Sequence, residues 1–203
     1  MNETALAAIV KHDPNATVND LLEVRFHETP QHELFSVPRK DGGWDHVTTA
    51  DFRARVIALA KGFVSAGLKP GDKVGIMCKV RFEWTLIDMA IAYAGAILVP
   101  VYETSSPSQI AYVLADSGAT SMITETAEMF SRFDEIRSDV PAVGSVWRLD
   151  LGDLEKLVAS GVDITDKEIE RRRNLAKGSD IATLLYTSGS TGSPKGCVIT
   201  HSN

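Results

Sequence analysis

The stretch Tyr186-Thr187-Ser188-Gly189-Ser190-Thr191-Gly192-Ser193-Pro194-Lys195-Gly196 constrains this chain more than any other. Glycines let backbone N–H groups turn toward a ligand with no Cβ in the way, and successive N–H groups in such a turn form an anion-binding concavity. Hydroxyls add donors, and Lys195 adds a compact, mobile positive charge. Immediately before the loop, Ile181-Ala182-Thr183-Leu184-Leu185 reads as a buried strand. A loop leaving a strand end stands where ligands of open α/β sheets bind. The residues describe a grip for polyphosphate. A flexible Gly/Ser linker accounts for part of the composition, but not for a Thr-Gly-x-Pro-Lys-Gly core between two apolar strands. The common nucleotide loop does not fit either. It needs four residues between its glycine and Gly-Lys-[Ser/Thr], whereas Lys195 follows Pro194 and precedes Gly196.

Upstream, the pattern alternates between strand and helix. Residues 1–16 lack a partner pattern and are expected to be weakly ordered. Thr17 to Glu28 reads as a helix ended by Pro30, and Glu33–Val37 with Trp44–Thr48 as a hairpin around Asp41-Gly42-Gly43. Thr49 is the expected N-cap of a helix over Ala50–Ala66, with Phe52, Val56, Leu59, Ala60, Phe63 and Val64 on one face. Lys73–Cys78 is a short buried strand, and Phe82–Tyr93 a helix apolar on every side, hence covered by protein on both sides. Ile97–Val101 is the next strand, and Ser106-Pro107 opens a helix running to Asp116, proline being favoured in the first turn. Thr120–Ile123 and Ser145–Leu149 read as strands, and Ala127–Ile136, Asp153–Val158 and Asp166–Ala176 as helices. Such alternation predicts an α/β fold with a mostly parallel sheet covered by helices on both faces.

Composition narrows the function. In 203 residues a net charge of −6 leaves no basic footprint for nucleic acid, and Arg171-Arg172-Arg173 is balanced by Asp163, Asp166, Glu168 and Glu170, which predicts a solvated face. Cys78 and Cys197 read as small buried residues of a reducing compartment, not as a disulfide framework. The most apolar run, Met89 to Tyr102, is too short for a membrane span and contains Gly95 and Pro100. Met1-Asn2-Glu3-Thr4 lacks the positive start of a secretory signal, so a cytoplasmic location is expected. Contact with a membrane surface stays open. His12, His27, His32 and His46 show no metal-ligand spacing. His201, between Thr200 and Ser202 at an expected helix start, reads as a capping or packing residue, and Trp84 and Tyr102 read as core.

The order of residues in the loop resembles the signature loop of the adenylate-forming superfamily, which includes acyl-CoA synthetases, luciferases and peptide-synthetase adenylation domains. Ser190 stands where the family usually has threonine, which keeps the hydroxyl. Cys197-Val198-Ile199-Thr200-His201-Ser202-Asn203 is similar to the strand and helix start after that loop. Gly67-Leu68-Lys69-Pro70-Gly71-Asp72-Lys73-Val74 and Gly95-Ala96-Ile97-Leu98-Val99-Pro100-Val101-Tyr102 resemble the family's early core motifs, and Glu103-Thr104-Ser105-Ser106-Pro107 resembles bacterial long-chain fatty-acid–CoA ligases. The resemblance runs from about Val47 to Asn203.

The resemblance implies an enzyme that joins a fatty acid to AMP from ATP, releases pyrophosphate, and passes the acyl group to coenzyme A. Carried over by position, Thr187, Ser188, Ser190 and Thr191 offer hydroxyls, Gly189 and Gly192 backbone N–H groups, and Lys195 a charge for phosphate. Thr187 matches the position that helps hold Mg²⁺, although it would also serve simply to end its strand. The adenine-side Thr-Glu motif, the ribose aspartate, the hinge and the lid lysine have no counterpart in these residues. The expectation is therefore a partial N-terminal AMP-binding domain over 1–203, without the C-terminal lid and not competent alone. Two alternatives stay open: an adenylation domain serving a carrier protein or reductase domain, and a non-catalytic nucleotide-binding remnant.

Overall fold

The computed structural model describes residues 13–187 and 194–203. Helix α1 (Val18–Glu28) and a hairpin of β1 (Glu33–Pro38) and β2 (Trp44–Thr48) precede the main body. The alternation then follows as α2 (Thr49–Ser65), β3 (Lys73–Met77), α3 (Phe82–Tyr93), β4 (Ile97–Pro100), α4 (Pro107–Ser117), β5 (Ser121–Thr124) and α5 (Ala127–Asp134). It ends with β6 (Ser145–Arg148), α6 (Asp153–Ser160), α7 (Asp166–Arg173), β7 (Ile181–Thr187) and β8 (Lys195–Thr200). Six strands form one sheet in the order β6-β5-β3-β4-β7-β8. Its strands run parallel except β8, which returns antiparallel to β7. The expected mostly parallel sheet is present. Its β4–β7 join is narrow, with Leu98 opposite Thr183, and Thr183 Oγ1 supplements it by donating to the Leu98 carbonyl at 2.9 Å.

Strand alternation divides the core in two. Val74, Ile76 and Leu98 face α2 and α3, while Met77, Val99 and Met122 face α4 and α5. Helix α6 lies along α2, and two glycines set how close it comes. A Cβ on Gly161 would stand 2.6 Å from the Gly62 nitrogen, so neither position has room for a side chain.

Short-range signals place most helix starts. Ser106 caps α4, accepting from the Gln109 N–H at 3.3 Å, with Pro107 in the first turn. Gly118 closes the same helix in the left-handed conformation, at φ 68°. The expected cap at Thr49 is corrected to Thr48, whose hydroxyl accepts from the Asp51 N–H at 3.1 Å while Asp51 bonds back. Thr49 is instead fully buried, its hydroxyl directed to the His32 carbonyl at 3.3 Å. Helices α5 and α7 stop at Asp134 and Arg173, earlier than the expected Ile136 and Ala176.

Three further expectations change. Only Arg171 belongs to a solvated face; Arg172 and Arg173 turn inward. Arg172 donates to the Leu68 carbonyl at 2.6 Å, and Arg173 pairs with Glu170 at 2.6 Å and lies 3.9 Å from Glu23. Glu23 is buried and also takes Arg53 at 2.9 Å and the Tyr93 hydroxyl at 2.8 Å. The run thus ties α7 to the chain after α2 and α3 through charge-assisted bonds from Arg172 and sets Arg173 beside the Glu23 carboxylate of α1. Cys78 is buried, but Cys197 is exposed, because β8 is the outermost strand and little covers its faces among the described residues. Tyr102 is 67 % exposed rather than part of the core. Among the described residues no helix is long and apolar enough to cross a membrane.

Candidate functional site

The strands β3, β4 and β7 all end on one edge of the sheet. The chain leaving β3 turns to α3 on one face, and the chain leaving β4 turns to α4 on the other. Neighbouring connections that diverge in this way open a crevice at the strand ends. Two clefts occupy that crevice. One of about 460 Å³ is bounded by Cys78, Val80, Trp84, Tyr102 and Leu185. A second, about 170 Å³, lies between Tyr102, Thr104, Gln109, Tyr186 and Pro194. Tyr102 and Tyr186 line both. Trp84 packs against the core as read from sequence and also lines a cleft, whereas Tyr102 lines both clefts and is exposed.

The end of β7 is fastened before it enters the loop. Tyr186 is buried and donates its hydroxyl to Asp116 Oδ2 on α4 at 2.7 Å. Its ring stands edge-on to Tyr112, centroids 6.4 Å apart. Burial, then the Asp116 carboxylate, pushes the phenol pKa well above its ordinary value, so Tyr186 stays a neutral donor. One residue on, Thr187 is exposed, and in the antiparallel ladder its partner is Lys195, also exposed. Residues directly opposite on such a pair project from the same face. The hydroxyl and the ammonium proposed from sequence thus flank the two ends of the loop, beside Pro194. Ser188, Gly189, Ser190, Thr191 and Gly192 lie outside the described residues.

The residues for a cation are few. Among the described residues no group of three His, Cys, Asp or Glu side chains could hold a metal. Thr187 Oγ1 is exposed and has a 4.0 Å contact with Cys197 Sγ. One neutral hydroxyl fits Mg²⁺ as part of a shell completed by phosphate oxygens and water.

His201 does not enter the crevice. Its Nδ1 accepts from the Val18 N–H at 3.3 Å, satisfying a free donor at the start of α1. Burial lowers its pKa and favours the neutral ring that can accept this bond. The capping or packing reading from sequence holds, although the helix capped is α1, 183 positions earlier. Sequence reasoning missed Asp116 and the pair Glu125–Arg81. Glu125 accepts from the Lys79 N–H at 2.7 Å and from Arg81 at 3.0 Å, tying the β3–α3 connection to the end of β5. No local signal marks such partners, which lie 44 to 70 positions apart.

Fold and crevice together define an α/β protein with a crevice at the carboxyl ends of its parallel strands, where ligands of such sheets tend to bind. The chain belongs to the AMP-binding enzyme family, whose pattern matches residues 22–203. It is 39 % identical over 166 residues to the long-chain-fatty-acid–CoA ligase FadD15 of Mycobacterium bovis, covering 80 % of this chain and 28 % of that protein. The chain therefore spans less than a third of the relative's length. The N-terminal domain of FACL13 from Mycobacterium tuberculosis superposes with a TM-score of 0.75 at 24 % identity, over 91 % of this chain and 44 % of that one. A long-chain-fatty-acid–CoA ligase (FadD1) from Archaeoglobus fulgidus gives a TM-score of 0.76 at 18 % identity, over 95 % and 38 %. These two likenesses establish the fold.

Proposed function

We propose that the chain is the N-terminal part of an ATP-dependent long-chain fatty-acid–CoA ligase, with residues 1–203 forming the first portion of its AMP-binding domain. The observation that carries the reading is the placement of Thr187 and Lys195 opposite one another, at the strand-end crevice, on either side of the loop. In this reaction a carboxylate oxygen attacks the α-phosphorus of ATP, and the bond to the β-phosphate oxygen breaks. Both reactants are negative, and charge grows on the departing pyrophosphate. Lys195, the hydroxyls of Thr187, Ser188, Ser190 and Thr191, and the N–H groups of Gly189 and Gly192 hold that pyrophosphate and offset the charge. Thr187 would help to hold Mg²⁺, which would supply positive charge to offset that of the phosphates. Coenzyme A then takes the acyl group through its thiol, releasing AMP. Groups for adenine, ribose and the lid belong to the remainder of such an enzyme. The 203-residue chain alone is expected to bind phosphate without forming acyl-AMP.

Titration of the chain with pyrophosphate and ATP tests the reading. Lys195→Ala should weaken both about 10- to 100-fold, the value of a charge-assisted contact of about 1.5–3 kcal/mol. Equal affinity in wild type and Lys195→Ala would remove the assigned role.

A further inference from the structure

The connection between β4 and α4 walls both clefts, which share its Val101, Tyr102 and Thr104. Its internal bonding is thin: the Ser105 N–H reaches the Tyr102 carbonyl at 3.0 Å, and the Ser106 N–H reaches Gln109 Oε1 at 2.9 Å. Support comes from behind, from α5. Arg132 donates from Nη1 to the Ser105 carbonyl at 2.9 Å and from Nη2 to the Glu103 carbonyl at 2.6 Å. The side chain is only 22 % exposed, the nearest carboxylate oxygen, of Glu128, is 3.9 Å away, and its Nε has no partner among the described residues. A guanidinium withdrawn from water for two neutral carbonyls is held there by geometry, because its planar fork matches two acceptors at once.

The direction of those carbonyls has a consequence for the cleft. In a trans peptide the C=O and the following N–H point opposite ways. Fixing the Glu103 carbonyl on α5 turns the Thr104 N–H away from α5, and Thr104 lines both clefts. The negative ends of these two peptide dipoles are thereby drawn behind the wall, away from the clefts, although the Glu103 side chain lines the larger one. Lysine, with a single ammonium, cannot span both carbonyls in this manner.

We propose that Arg132 is a positioning residue: without touching ligand, it holds the β4–α4 connection as the cleft wall beside the phosphate loop. The proposal rests on the functional reading above. Its test uses the whole chain with Arg132→Gln and Arg132→Lys, the latter keeping the charge should the former fold poorly. Hydrogen exchange of the Ser105 and Ser106 amides, the hydrogen-bonded ones of this connection, should quicken about 10- to 100-fold in Arg132→Gln, matching the loss of charge-assisted bonds. Pyrophosphate affinity should fall about tenfold, with Arg132→Lys intermediate in both readouts. The proposal is overturned if exchange at Ser105 and Ser106 rises no more than in β3 and α2, since that means general destabilisation. It is also overturned if wild type binds pyrophosphate and Arg132→Gln binds it equally well. A wild-type chain that binds no pyrophosphate defeats the functional reading instead, and the exchange experiment then decides the positioning role by itself.

Discussion

Asp88 offers the most direct test of the energetics. It lies half-buried on α3, and among the described residues it has neither a hydrogen bond nor an ion pair. Burial alone pushes its carboxyl up to about 6. In the unfolded chain the same group titrates near about 3.9. Between those values the unfolded chain ionises while the folded one keeps its proton. Stability is therefore full below about pH 4, falls as pH rises toward 6, and stays lower above it. Two pH units at about 1.36 kcal/mol each set a ceiling near 3 kcal/mol, and water reaching a half-buried carboxyl lowers this to about 1–2 kcal/mol. Asp88→Asn keeps the shape and removes the ionisation. At pH 7 the variant should be more stable by that amount, a rise of roughly 2–4 °C in Tm per kcal/mol for a chain of this size. At pH 4 the difference should vanish. Thermal melts of both proteins from pH 4 to 7 decide it. A constant difference across that range, or a variant weaker at pH 7, would falsify the argument.

Three further outcomes are expected. Tyr186→Phe removes the bond to Asp116 and should lower stability by about 1 kcal/mol in urea melts, because water can take over at an exposed carboxylate; no change would mean the bond does not fasten β7. Gly161→Ala should cost about 1–3 kcal/mol by forcing α6 off α2, and a neutral result in the same melts would show that the two helices have room to adjust. For His201 burial lowers the pKa below 6.5, so stability present above that pH is lost as pH falls; His201→Ala should flatten this part of the profile, and an unchanged slope would remove the histidine as its cause.

What the residues determined locally is extensive. The hairpin around Asp41-Gly42-Gly43, the start at Ser106-Pro107 and the strand leading into the Thr187–Lys195 loop were each legible in the sequence, because caps, turns and periodicity act within a few residues. The parallel sheet followed from the alternation, since strands joined through helices have little other way to cover both faces. Even so, one step in register misplaced the cap from Thr48 to Thr49, since both threonines suit it and only the fold buries one of them. Tertiary structure alone decided the remainder. Arg172 and Arg173 look like a charged surface until α7 is laid against Leu68, Glu23 and α3. Tyr102 and Cys197 look like core until their places, a cleft wall and an edge strand, leave them uncovered. The clasps Tyr186–Asp116, Arg132–Glu103 and His201–Val18 join positions 29 to 183 apart. No short-range rule encodes such pairs; they exist because the order β6-β5-β3-β4-β7-β8 brings distant strand ends and helices together, the first two at the carboxyl edge of the sheet and His201–Val18 at the opposite edge.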